Sequence, residues 1–158
     1  MNILIDCREK KIIQRDLPFP YETTALNIGD FQLSDSNFTL LIERKTWTDL
    51  QSSMKDNRFR EQRSRLLAWR EERSERRGVV YLIEGLYDFT LFEVERKTVE
   101  RLMIAYQVPV LFTSSIAKTC ETIEKWWKLE SLEPLFRKRS LEQDQIESRM
   151  KSRTKKNY

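Results

Sequence analysis

Apolar and polar positions alternate in short blocks over the first third of the chain, and the period lengthens after residue 46. Asn2–Asp6 (NILID) predicts a short buried strand that delivers Asp6 at its end. Residues 9–16 predict a short helix that packs Ile12 and Ile13 and is stopped by Pro18 and Pro20. Residues 21–26 and 31–33 predict strands, with Asn27-Ile28-Gly29-Asp30 as the turn between them. Residues 38–43 are apolar and partly β-branched, the pattern of a clearer strand. Together these pieces predict an antiparallel meander.

Helical spacing follows. Residues 47–54 fit a helix that Thr46 or Thr48 can cap. Residues 59–75 fit a longer one, with Phe59, Leu66 and Leu67 on one side, arginines elsewhere and Gly78 as its stop. Residues 79–83 (VVYLI) form a continuous apolar run between Gly78 and Gly85, as in a strand buried on both faces. Residues 98–107 read as helix, 109–112 (PVLF) as another buried strand and 116–130 as an amphipathic helix. Strand, helix, strand, helix is the signature of an α/β sandwich. After Pro134 the chain is charged and poor in apolar residues. The expected division is therefore a domain over 1–134 and a basic tail or terminal helix over 135–158.

Composition narrows the chemistry. A chain of 158 residues fits one domain with a core that needs no disulfide staples. Cys7 and Cys120 have neither zinc spacing nor a disulfide framework, so a reducing compartment is expected. No apolar run approaches the roughly 20 residues of a membrane span, and the mixed charged start is not a targeting peptide. An intracellular protein is expected, wherever the cell keeps its DNA. The net charge of +4 is modest, but arginines crowd residues 58–77 and Lys/Arg recur over 137–156. Such stripes suit a phosphate binder, and equally a solvated helix face. The absence of histidine removes Ser-His-Asp chemistry and His-ligated zinc. Catalysis must use carboxylates, lysine, tyrosine, cysteine or a hard metal ion.

Asp30 and the segment Ile42-Glu43-Arg44-Lys45 supply such groups. Glu43 and Lys45 are two apart on a strand, so they share a face. A hairpin would bring the Asp30 carboxylate beside Glu43. Two oxygen ligands suit Mg²⁺, which keeps its other positions for water and a phosphate oxygen, and Lys45 would hold the attacking water. These three residues alone also fit a surface ion pair.

Their neighbours extend the pattern. Gly29-Asp30 followed by Glu43-Arg44-Lys45-x-x-x-Asp49 resembles the GD…ERKxxxD signature of the XPF-type structure-specific endonucleases. Asp6-Cys7-Arg8-Glu9 resembles that family's opening D-x-R-E. Residues 55–62 (KDNRFREQ) are similar to its DGRFREQ segment, and 80–84 (VYLIE) to its VYLIE strand. The resemblance spans about residues 2–130 in order. It implies a restriction-endonuclease-like α/β core, a central mixed sheet with helices on both faces, and Mg²⁺- or Mn²⁺-dependent cutting of branched or flapped DNA. It implies metal ligation by Asp30 and Glu43, with Asp49 and Asp6 completing the acidic cluster, and a water-positioning role for Lys45. Arg44 would fold back onto Asp49 or another carboxylate, or reach phosphate. Arg58, Arg60, Gln62 and Arg65 would lie along the DNA.

Bland alternatives remain for several of these. Asp6 can simply cap the helix after it, Arg8 and Glu9 fit structural roles, and the four tryptophans fit a core better than base stacking. The glycine-rich turns of the tandem helix-hairpin-helix domain common in the family are not expected after Gly85, the last glycine. Other readings on the same fold are a Holliday-junction or general endonuclease, and an inactive scaffold partner, though scaffolds lose the acidic signature that is intact here. Ile116, Cys120, Ile123 and Trp127 form one helical stripe, with Trp126 and Leu129 well off it. That predicts a homodimer through the C-terminal helices, or a heterodimer. The alternative is that both residues pack under 132–136 of the same chain.

Overall fold

The computed structural model describes residues 1–136, 145–146 and 150–151. Apart from those last four positions, the basic tail expected over 137–158 lies outside the described residues. A single six-stranded sheet organises the chain: β1 (Asn2–Asp6), β2 (Glu22–Thr24), β3 (Phe31–Ser34), β4 (Thr39–Thr46), β5 (Arg77–Glu84) and β6 (Val110–Thr113), in the order β2-β1-β3-β4-β5-β6. The helices are α1 (Lys10–Ile13), α2 (Trp47–Lys55), α3 (Arg58–Glu71), α4 (Glu93–Ile104), α5 (Ile116–Trp127) and α6 (Glu133–Phe136).

The sheet is mixed, not the simple meander expected. β3 is antiparallel to both β1 and β4, whereas β2, β5 and β6 join as parallel neighbours. The strands on either side of the Asn27–Asp30 turn do not pair with each other, because β1 lies between them. β1 satisfies both: Cys7 N–H donates to Thr24 O and Asp6 N–H to Asp30 O, each at 2.8 Å.

Burial on the two faces explains the sequence pattern. On one face Ile3, Ile5, Leu33, Ile42 and Leu82 meet Ile12 of α1 and Ile123 of α5. On the other, Leu41, Tyr81 and Ile83 meet Leu50 of α2, Leu66 of α3 and Leu102 of α4. β4 and β5 sit between both cores and are buried along most of their length, while β1 and β3 alternate. Each large side chain so enclosed contributes about 1.5–3 kcal/mol.

Two local expectations are corrected. Gly78 does not stop α3. It lies inside β5, where an added Cβ would sit 3.0 Å from the Phe38 ring, and α3 ends near Glu71. Arg77 closes that end by donating to Trp69 O at 2.8 Å while stacking over the Trp69 ring. α4 starts at Glu93, before the expected 98, with Glu93 and Glu95 suited to its positive first turn. Trp126 packs against the core that contains Leu132, as the intramolecular alternative has it, and so does Trp127, whereas Leu129 stays 38% exposed. Trp47 and Trp69 belong to the opposite core, so all four tryptophans are structural.

Candidate active site

The backbone brings Asp30 and Glu43 together before any side chain is considered. Gly29 adopts φ 73°, a left-handed conformation that ends the turn. Asp30 N–H then donates to Ile42 O, and the Asp30 Oδ2 accepts the Arg44 N–H at 2.7 Å. Asp30 is thereby held between β1 and β4. An alanine at position 29 would adopt a disfavoured φ and place its Cβ 3.4 Å from Ile42 O. Gly29→Ala should cost about 1–2 kcal/mol and lower Tm by about 2–8 °C, as differential scanning calorimetry would show. An unchanged Tm would mean that the turn relaxes freely.

Glu43 and Lys45 share the α2–α3 face of β4, as their spacing predicts. Both are buried, and Lys45 Nζ lies 3.1 Å from Glu43 Oε1. With Asp30, Asp49, Ser52, Arg58 and Gln62 they line a pocket of about 240 Å³. Burial, then the neighbouring Glu43 and Glu9 carboxylates, push the Asp30 carboxyl up to about 8. Burial also raises Glu43, against the opposing pull of Lys45. One lysine thus faces two crowded acids, and the missing positive charge is what a divalent cation would provide.

The acidic cluster is smaller than expected. Among the described residues no three Cys, Asp or Glu side chains converge to enclose an ion. Asp6 is buried, and its two oxygens accept four hydrogen bonds, three from Arg8 and one from Leu26 N–H, at 2.7–2.8 Å. The Arg8 side-chain bonds hold the Asp6 carboxyl below its ordinary range. Its acceptor sites are filled, so Asp6 is a structural tie and not a metal ligand. Asp49 forms a capping box with Thr46, the N-cap of α2, and its Oδ2 accepts the Thr46 N–H at 3.3 Å. It reaches the pocket as an exposed rim carboxylate. Two carboxylates still suit Mg²⁺, which binds through one or two of them and keeps several waters.

Of the partners expected for Arg44, the structure gives it other carboxylates and not Asp49. Its guanidinium lies on the face opposite Glu43 and Lys45 and does not hold Asp49. It donates to Glu84 at 2.6 and 2.9 Å and to Glu9 at 2.9 Å. Glu84 also accepts the Thr119 hydroxyl at 2.6 Å. Burial works against the charge on both Arg44 and Glu84, but their mutual bonds outweigh it and hold each group charged. Arg44 therefore positions Asp30 through its backbone and ties four elements through its side chain. Glu84 was missed as a partner, although its place at the end of a buried strand marks a charge needing a counterion.

The four DNA-contact candidates divide. Arg58 and Gln62 line the pocket, with Arg58 also 2.9 Å from Asp56. Arg65 donates to Asn27 O at 2.6 Å and so braces the turn before Asp30. Arg60 lies on the other flank of α3, away from this pocket.

A family profile described as the ERCC4 domain matches residues 5–125. No curated protein sequence matches. Among solved structures, XPF from Aeropyrum pernix matches with 27% identity and a TM-score of 0.61, over 79% of this chain and 62% of that one. The same protein in complex with DNA matches with 26% identity and a TM-score of 0.59, over 78% and 62%. The chain thus spans less than two thirds of the archaeal protein. The mixed sheet, the helices on both faces and the signature on β4 agree with these matches: the chain carries an XPF-type nuclease domain and belongs to the ERCC4 domain family.

Proposed function

We infer that this protein is a DNA endonuclease that hydrolyses a phosphodiester in branched or flapped DNA with Mg²⁺ or Mn²⁺. The observation that carries the reading is the Asp30–Glu43 pair, crowded into an open pocket with Lys45 as its one buried counter-charge. A divalent cation bound there would neutralise the two acids and lower the pKa of the attacking water. Asp30 and Glu43 would hold it. Lys45 orients the water, which gives up a proton to solvent as its oxygen bonds to phosphorus, a P–O bond of the backbone breaks and the leaving oxygen takes a proton from solvent. Arg58 and Gln62 hold the flanking phosphate, and Asp49 receives a hydrogen bond from water at the rim.

The intact carboxylates favour an enzyme over a scaffold. The test is cleavage of labelled flap, splayed, nicked, junction and linear duplex DNAs with Mg²⁺ and with EDTA. Preferential, Mg²⁺-dependent cutting of the flapped DNAs is expected. Preference for the junction would favour a resolvase, and full activity in EDTA would refute the metal site. In the same assay Lys45→Ala should lower kcat about 100-fold or more with little change in KM, because its bond is strongest in the transition state. A change in KM alone would make Lys45 a binding group.

A homodimer also has a candidate surface away from the C-terminal helices. Leu86, Phe89, Ile104 and Phe112 are 81, 74, 79 and 56% exposed around α4 and the outer edge strand β6. A second copy over this edge would cover both the apolar side chains and the free edge of β6. Phe112→Glu should turn a dimer into a monomer by light scattering, while Trp126→Glu should chiefly destabilise the fold. A monomeric wild type at micromolar concentration would exclude homodimerisation. Among the described residues no helix is long and apolar enough to cross a membrane.

A further inference from the structure

α3 carries basic side chains on two flanks, and only one of them faces the Asp30–Glu43 pocket. On the other, Arg60 and Arg63 of α3 meet Arg101 of α4 around a second pocket of about 230 Å³. Asn57, Phe59 and Tyr106 complete its working surface, and no carboxylate lines it. The cutting pocket differs, because there Asp30, Glu43 and Asp49 stand among the basic side chains. None of the three arginines has an ion pair among the described residues, and the buried Nε of Arg63 has no acceptor. Arg63 is nonetheless held in place. Its guanidinium lies 4.2 Å from the centre of the Tyr106 ring and 5.9 Å from that of Phe59. A planar cation fixed by aromatic stacking, beside two free guanidinium groups, is preorganised for an oxyanion.

We propose that this α3–α4 pocket binds a backbone phosphate of the DNA substrate, outside the cut site. The inference rests on the endonuclease reading above. Its geometry favours nucleic acid over an acidic protein segment. Asn57, at the α2–α3 corner, lines this pocket, while the next residue, Arg58, lines the cutting pocket. The two sites are separated by the width of one helix, about 10–12 Å. Along the axis of a duplex each strand places one phosphate per roughly 3.4 Å, so that span takes in about three of them. One strand, or the arm that leaves a branch, can therefore occupy both. The side of the corner that carries carboxylates would cut, and the side that carries arginines alone would grip.

The experiment uses a 5′-fluorescein-labelled flapped duplex and the same duplex without its flap. Anisotropy is measured in EDTA over a salt series, for the wild type, Arg60→Gln/Arg101→Gln and Arg101→Lys. Both substituted side chains are exposed, and circular dichroism confirms that each variant is folded. The double variant should bind the flapped DNA about 10-fold more weakly, with the slope of log K against log salt reduced by about 1–2. Arg101→Lys should retain most of the slope. If the wild type binds DNA and the double variant matches it in affinity and slope, the pocket is off the DNA path. The endonuclease reading would then stand, and an acidic protein segment would become the better occupant. If the wild type binds neither DNA, both the reading and this proposal fail.

Discussion

Asp30→Asn and Glu43→Gln should each abolish cleavage, and Asp30→Asn should leave the protein as stable as the wild type or more so. The two carboxylates are crowded into one pocket, and burial with mutual repulsion holds the Asp30 carboxyl at about 8 against an ordinary 3.8. Between those values the native state keeps the proton and the unfolded chain has released it. The contribution of this group to stability is therefore full below about 3.8 and is lost as pH rises through about 8. Asparagine preserves the shape and the acceptor for the Arg44 N–H without carrying charge. After allowance for solvent screening, the relief at pH 8.5 is on the order of 1–2 kcal/mol. That corresponds to a Tm about 2–8 °C above wild type, and the gain should shrink near pH 5. Cleavage should fall about 1,000-fold or more, because cation binding and the stabilisation of developing charge are lost together. Mg²⁺ should raise the Tm of the wild type and not that of either variant. A destabilised Asp30→Asn, or one that still cuts, would contradict a strained metal site.

Arg44→Ala should have the opposite profile: a large loss of stability with residual cleavage. Removing the guanidinium leaves Glu84 and Glu9 without their shared cation, and Glu84 is 5% exposed. Breaking a buried pair from one side typically costs about 3–5 kcal/mol, or a drop in Tm on the order of 10 °C. Glu84→Gln in the same chain should recover part of that loss, a coupling that a double-mutant cycle measures directly. The backbone N–H that holds Asp30 is still present, so turnover should persist below the lowered Tm. An Arg44→Ala protein that melts with the wild type yet cuts nothing would instead put this guanidinium in the chemistry.

Local spacing determined the heart of the site. Period-two alternation along β4 assigns Glu43 and Lys45 to one face and Arg44 to the other. Thr46 and Asp49, three apart, form the capping box that turns the strand into α2. Gly29 supplies the left-handed turn before Asp30, and the apolar run of β5 announced a strand enclosed on both faces. Each of these follows from backbone geometry within a few residues, so sequence alone was enough to group Asp30, Glu43 and Lys45. What the sequence could not decide depends on partners distant in the chain. Alternation does not name a neighbour, so the parallel seat of β2 beside β1 and the placing of β3 between β1 and β4 needed the closed sheet. Side-chain partners are set the same way. Asp6 is consumed by Arg8 and Leu26, Arg44 by Glu84 and Glu9, and Gly78 is small because the Phe38 ring lies against it. The arginines of α3 read as one basic stripe, and packing on Phe59 and Leu66 divided them. Burial of that apolar edge set the helix's rotation, which turned Arg58 and Gln62 toward the acids and Arg60 and Arg63 toward Arg101.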